Sequence, residues 1–299
     1  MQIYLAPMEG ITTFVYRKAL NRCYGGIDKF FTPFISHYKL NSRELNDILP
    51  QHNEGLYLVP QILTNKFNIF LNIAKTLEEY GYREINLNLG CPSGTVASKN
   101  RGAGFLRVPD ELDKFLDEIF GGCPLEISIK TRIGVESVDE WERIVEIFSA
   151  YPFKELIIHP RLQKEFYKGE PHIEAYERAK VCLSRPLCYN GDIVSSTLPE
   201  PLLNEDRLMI GRGILKNPLL PSAIKGTTFN HKTFLEFHTE IVDGYKELMS
   251  GDMPVLFHMK ELWAYMGDFA GLSEKQLKKI KKTKSLSEYN TLVSTFLKT

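Results

Sequence analysis

Residues 125–160 read LEISIKTRIGVESVDEWERIVEIFSAYPFKELIIHP, and three patterns follow one another within them. LEISIKTR (125–132) is a short apolar run rich in isoleucine, VDEWERIVEIFSAY (138–151) carries apolar residues at helical spacing, and ELIIHP (155–160) is a second strand-like run. Two nearly continuous apolar strands joined by a helix mark a parallel sheet covered on both faces. The alternation extends both ways. Upstream lie IYLAPM (3–8), KFFTPFIS (29–36), LYLVPQIL (56–63) and REINLNLG (83–90), with the helical NIFLNIAKTLEEYG (68–81) before the last of them; downstream lie PLCYNG (186–191) and RLMIGRG (207–213). Eight such strands predict an α/β fold of the (β/α)8 TIM-barrel kind rather than an open doubly wound sheet, which commonly has fewer strands. No G-x-G-x-x-G follows the first strand, which lowers the open dinucleotide-binding reading further.

The pattern changes after NPLLPSAIKGTTFN (217–230). From His231 onward only helical periodicity remains: TFLEFHTEIVDGYKELM, VLFHMKELWAYMGDFAG, LSEKQLKKIKKTK and LSEYNTLVSTFLK. The expected organisation is a barrel over residues 1–225 and a small C-terminal all-helical domain over 230–299.

Composition is that of a globular protein, 43% hydrophobic and 25% charged, with Lys+Arg and Asp+Glu both 37. Net charge therefore gives no global argument for a polyanionic partner, although local patches matter more than the sum. No apolar run approaches the ~20 residues of a membrane span, and MQIYLAPMEG lacks the basic and apolar regions of a signal peptide. The five cysteines are odd in number and form no C-x-x-C pair, which argues against a disulfide framework and a zinc site. A cytoplasmic protein with reduced thiols, no metal and no membrane association is expected, and a monomer is the simplest assembly.

In a barrel of this kind the chemistry sits at the C-terminal ends of the strands. Unusual polar residues gather there: Pro7, Met8 and Glu9 end the first strand, Gln61 sits in the third, and Asn88 and Cys91 close the fourth. Lys130 and Arg132 end the fifth, His159 and Arg161 the sixth, Asn190, Gly191 and Asp192 the seventh, Gly211 and Arg212 the eighth. The glycines of YNGDI and MIGRGI let backbone N–H groups approach an anion closely, and Arg212 adds a bidentate donor. A phosphate-bearing cofactor is expected at these last two strands. Lys130 points from a buried strand toward the mouth, where an unpaired ammonium is costly; beside a flavin it would hold the anionic reduced ring.

These segments resemble the dihydrouridine synthases, flavoenzymes that reduce uridine in RNA. LAPMEGIT (5–12), QI (61–62), NLGCPS (88–93), IKTRIG (129–134), NGDI (190–193) and IGRG (210–213) follow in that family's order, and HMKELWAY (258–265) is similar to the signature of its C-terminal helical domain. The chain departs from the family pattern at IIHPR, with Pro160, and at NRGAGFL. The resemblance implies bound FMN and NADPH as reductant. It places Pro7, Met8 and Glu9 along the isoalloxazine, Gln61, Lys130 and His159 at its polar edge, and Asn190, Gly191, Asp192, Gly211 and Arg212 at the phosphate. Asn88 would approach flavin and uracil, and Cys91 would be the proton donor to C5 opposite the hydride delivered to C6. A thiol near its ordinary pKa of ~8.5 stays mostly protonated at pH 7.

The uridine must leave its stack to enter such a mouth. Lys99, Arg101 and Arg107, then Arg132, Arg161, Lys164, Phe166, Tyr167 and Lys168, offer basic groups with interleaved aromatics suited to a splayed nucleotide. Residues 272–299 hold seven lysines against two glutamates, and Lys278 and Lys282 lead this patch as RNA-backbone contacts. The expected partner is tRNA. Ribosomal RNA, a free pyrimidine as in dihydroorotate dehydrogenases, and a non-catalytic RNA chaperone are the competing readings.

Overall fold

The computed structural model describes residues 1–228 and 231–297. Its strands are β1 (Gln2–Leu5), β2 (Lys29–Phe31), β3 (Leu58–Val59), β4 (Gln61–Ile62), β5 (Glu84–Leu89), β6 (Glu126–Gly134), β7 (Leu156–Leu162), β8 (Leu187–Asn190) and β9 (Arg207–Ile210). All pair in parallel, in the order β3-β2-β1-β9-β8-β7-β6-β5-β4. The two ends of that order, β3 and β4, are separated in the chain by Pro60 alone, so the sheet curls into a barrel. The segment predicted as one strand, LYLVPQIL, is thus two. Proline has no N–H to give a ladder, yet the Pro60 carbonyl accepts from the Asn86 N–H at 2.8 Å and carries the pairing across the break.

Every residue of β5 and β7 is buried, as expected of strands covered on both faces. The inside of the barrel is filled by Tyr4, Ala6, Phe31, Val59, Ile157, Cys188 and Met209, while a larger apolar core lies between the strands and the surrounding helices. The N-terminal end is closed by charge. Lys29 Nζ lies 3.0 Å from Glu84 Oε1 and also pairs with Glu155; Tyr57 donates to Glu84 (2.8 Å) and Tyr4 to Glu155 (3.0 Å). Removing one partner from such a buried set leaves a charge uncompensated, so this floor holds β1, β2, β5 and β7 in fixed relation.

Among the described residues from 231 onward there are four helices: Phe234–Leu248, Asp252–Met266, Glu274–Lys282 and Leu286–Leu297. The expected start of this unit, residue 230, lies outside the described residues. The first of these helices packs on Phe14–Cys23, the helix after β1, with Phe237 edge-on to Tyr16 and Tyr24 (ring centroids 5.8 and 5.2 Å) and a Tyr245–Thr13 hydroxyl contact of 2.7 Å. The second packs against Arg212–Lys216, the short helix after β9. The HMKELWAY segment is internal scaffolding. Lys260 Nζ donates to the Thr283 carbonyl at the end of the lysine-rich helix, and Trp263 Nε1 donates to Tyr289 Oη (2.7 Å), which also meets His238 Nε2 at 2.6 Å. Among the described residues no helix is long and apolar enough to cross a membrane.

The crossing of Phe14–Cys23 and Phe234–Leu248 depends on Gly244, where a Cβ would stand 2.7 Å from Val15 Cγ1. Alanine gains up to about 1 kcal/mol of helix propensity there, but overpacking against a stiff β-branched neighbour costs about 1–3 kcal/mol. Gly244→Ala is therefore expected to lower the melting temperature. Thermal unfolding of the Val15→Ala, Gly244→Ala pair checks the cause: the glycine substitution should cost less in the Val15→Ala background.

Candidate active site

The loop after β1 turns tightly on Met8. Its N–H donates to Thr12 Oγ1 (2.8 Å), and its carbonyl accepts from the Ile11 and Thr12 N–H groups (both 3.0 Å). Beneath it the fully buried Arg17 donates to the carbonyls of Thr12 (2.8 Å) and Asp47 (2.7 Å) and to Asn53 Oδ1 (2.9 Å). Pro7 and Met8 are thereby held half-buried at the rim, whereas Glu9 is exposed and ion-paired with Arg43. Arg43, which lies in the first turn of the helix Ser42–Ile48, is a site neighbour that sequence reasoning missed.

At the end of β5 the chain folds back on Asn88. Asn88 Oδ1 accepts from the N–H groups of Gly90 (3.0 Å) and Cys91 (2.9 Å). The Cys91 carbonyl accepts from the Ala103 N–H (3.1 Å), and Gln163 Nε2 holds the Pro92 carbonyl at 2.9 Å. Gly102 closes the loop under the cysteine with φ +54°, where a Cβ would meet Cys91 Cβ and its carbonyl oxygen at 2.9 Å. Cys91 is half-buried, and burial raises its thiol above the usual value despite the nearby Ser93 N–H, Lys130 and Arg132. It is a protonated thiol at neutral pH.

The opposite wall is made by β6, β7 and the turns after β8 and β9. Lys130 is half-buried, and among the described residues no carboxylate pairs with it; withdrawal from water, then Arg132, pull its ammonium down to about 8. His159 is buried, and desolvation followed by Arg132, Lys130, Arg161 and Arg212 drives its imidazole well below its ordinary range, so it is neutral. Among the described residues the carboxylate that touches this group is Asp192, which takes Arg161 at 2.5 Å and Arg212 at 2.7 Å. Asp192 thus clamps two guanidiniums, whereas the sequence reading put it at the phosphate itself. Asn190 Nδ2 is turned inward onto the Met209 carbonyl (2.8 Å), while Gly191 is buried and Gly211 half-buried.

Two of the arginines expected at RNA lie in this wall instead. Arg132 is fully buried and donates to the carbonyls of Gly90 (3.1 Å), Leu162 (2.7 Å) and Phe166 (2.5 Å). Arg161, also fully buried, donates to the carbonyls of Lys168 (3.3 Å) and Gly169. These carbonyls satisfy donors that would otherwise be stranded, and in return fix the loop after β7. Tyr167 on that loop is half-exposed, lying over Arg212 and Arg132 (4.4 and 5.5 Å from the ring centre) and stacked beside His159 (6.1 Å). Lys99, Lys278 and Lys282 are exposed, and Arg101 is half-buried with its Nε unpartnered.

Sequence reasoning also missed Asn86 and Ser128, both fully buried polar residues in the barrel wall. They share a face with Asn88 and Lys130 at strand period two, and that alternation was their only signal.

A parallel barrel whose mouth sets a cation-rich wall beside a protonated thiol suits the work of a flavin-dependent oxidoreductase, the class to which comparison with known proteins assigns it. Solved structures give the fold independently: an old yellow enzyme homologue of Zymomonas mobilis aligns with TM-score 0.54 at 9% identity over 79% of this chain and 92% of its own, and a morphinone reductase mutant in complex with tetrahydroNAD with TM-score 0.53 at 10% identity over 79% and 90%. The sequence model described as Dihydrouridine synthase (Dus) matches residues 4–296, and the chain belongs to that family. Similar proteins include the probable tRNA-dihydrouridine synthase of Staphylococcus epidermidis, 29% identical over 98% of this chain and 92% of its own. The probable tRNA-dihydrouridine synthase 2 of Bacillus subtilis is 29% identical over 98% and 93%.

The depressed Lys130 has a measurable consequence. Its folded value lies below the 10.5 of a free lysine, so between those values the unfolded chain binds more protons and stability rises with pH. In protein freed of bound ligand, Lys130→Met should be the more stable of the two at pH 7, and its advantage over the unsubstituted chain should shrink as pH is raised from about 8 toward 10.5. Melting curves across that range test it.

Proposed function

We propose that this chain is an FMN-dependent tRNA-dihydrouridine synthase that takes its electrons from NADPH and acts in the cytoplasm as a monomer. The observation that carries the reading is the pairing of Lys130, an ammonium with no carboxylate partner among the described residues, with Cys91, a thiol kept protonated by burial at the end of the neighbouring strand. A phosphate-bearing ring that becomes anionic on reduction fits this wall, because four cations converge on it and, among the described residues, the carboxylate that touches any of them is Asp192, paired with Arg161 and Arg212. Lys130, Gln61 and neutral His159 would hold the ring's polar edge, Pro7 and Met8 its face, and Arg212 with the backbone of Gly191 and Gly211 its phosphate. When bound, the flavin supplies the hydride that goes to uracil C6.

The chain's own part is orientation and the proton. Asn88 turns the Cys91 backbone into the mouth, and Cys91 Sγ–H gives its proton to C5 as the C5=C6 bond is reduced. The thiolate left behind faces Lys130 and Arg132, both of which lower its cost. Half-exposure lets it recover a proton from water. Tyr167, already over Arg212 and Arg132, offers a ring on which the extruded base can stack. The names borne by the relatives favour tRNA over ribosomal RNA, and the exposed Lys278 and Lys282 suit contact with its phosphates.

Purified protein with FMN, NADPH and unmodified tRNA should form dihydrouridine, read by mass spectrometry. Cys91→Ala should lower the rate by about 10²–10⁴-fold while NADPH still reduces the bound flavin at the normal rate. No product from tRNA, with turnover of free uracil or orotate, would sink the reading. Lys278→Glu with Lys282→Glu should weaken tRNA binding and flatten its salt dependence by about one unit of slope for each phosphate no longer neutralised.

A further inference from the structure

A chain of buried side chains runs through the barrel wall from the Cys91 N–H across β5, β4 and β6 and returns to the backbone of β5. Asn88 Nδ2 donates to Gln61 Oε1 (2.7 Å), Gln61 Nε2 to Asn86 Oδ1 (2.8 Å), Asn86 Nδ2 to Ser128 Oγ (3.0 Å), and Ser128 Oγ to the Ile85 carbonyl (3.2 Å). An amide can usually be turned over without changing its shape, so its orientation follows from its partners. Here both ends are unambiguous. The chain starts at two backbone N–H groups, of Gly90 and Cys91, which can only donate to Asn88 Oδ1. It finishes at a backbone carbonyl, which can only accept. One polarity alone satisfies every link, and turning any single amide would set donor against donor and acceptor against acceptor.

We infer that Asn86 and Ser128 are positioning residues that fix the orientation of the Gln61 amide and, through Asn88, tie it to the placement of Cys91. The inference rests on the flavin-edge role proposed for Gln61. One hydrogen of Gln61 Nε2 is committed to Asn86, which leaves the other as the group Gln61 can offer to an acceptor in the mouth. Asn86 and Ser128 are fully buried, and their side-chain hydrogen bonds stay within this relay, reaching neither the rim nor the cation-rich wall. A merely structural polar pair would leave the electronic properties of a bound ring alone; an orienting pair would not.

The test uses the FMN-loaded protein and reads the flavin dissociation constant together with its reduction midpoint potential. Gln61→Leu is the reference. Asn86→Leu, near in volume and unable to accept, should reproduce the Gln61→Leu shift in potential and weaken FMN by about tenfold, the scale of one hydrogen bond to a polar or charged partner. Ser128→Ala should move both quantities in the same direction by a smaller amount, and Ser128→Thr, which keeps the hydroxyl, should restore them. Should Asn86→Leu fail to fold, the Ser128 pair decides alone. If Gln61→Leu shifts the potential and both Asn86→Leu and Ser128→Ala leave it unchanged, the positioning inference is wrong and the flavin reading stands. If FMN binds and Gln61→Leu itself changes nothing, the flavin-edge role of Gln61 fails, and the inference falls with it.

Discussion

The structure is organised around the difficulty of holding Lys130, Arg132, Arg161 and Arg212 about one imidazole. Buried cations are tolerated when their donors are satisfied or their charge is matched. Three devices manage it here. Backbone carbonyls of the loop after β7 and of Gly90 take up Arg132 and Arg161. Asp192 bridges Arg161 and Arg212. Lys130, with neither remedy, gives up part of its proton affinity instead. The residual positive field is what a phosphate and an anionic ring would meet, and it also keeps His159 neutral, able to accept or donate a hydrogen bond without adding charge.

The thiol answers the same field from the other side. Burial alone would make Cys91 a poor acid, because a thiolate far from water is costly. Lys130 and Arg132 oppose that rise without overcoming it. The outcome suits a donor that must hold its proton until the base arrives and release it next to cations. Its position comes from the backbone: Asn88 grips two N–H groups, Gly102 admits the close return of the chain, and Gln163 tethers Pro92 from the loop after β7. Acid, amide chain and cationic wall thus meet through β5, β6 and β7 and the loops at their C-terminal ends.

Much of this was legible in the sequence. The strand-helix alternation gave the barrel, and the polar residues at strand ends gave the rim, because parallel strands bring their C-terminal ends to one side whatever the details of packing. What sequence could not supply were facts about loops and partners. LYLVPQIL carried its own proline, yet the split into β3 and β4 depends on which neighbour pairs across it. Arg132 and Arg161 look like surface cations until the carbonyls that enclose them are in place. Lys260 and Trp263 were legible only as part of a family signature; that Lys260 braces the end of the helix carrying Lys278 and Lys282, and Trp263 the last helix, required the structure. Asn86 and Ser128 were visible only as polar interruptions on one face of apolar strands, a pattern that gains meaning when the hydrogen-bond polarity can be traced.

The most direct measurement is a map of dihydrouridine in total RNA from cells with and without this protein. Loss at one or a few tRNA positions, restored by the unsubstituted chain and not by Cys91→Ala, is the result expected. An unchanged map in cells lacking redundant enzymes would contradict RNA reduction by this chain, and loss confined to ribosomal RNA would contradict tRNA as its substrate.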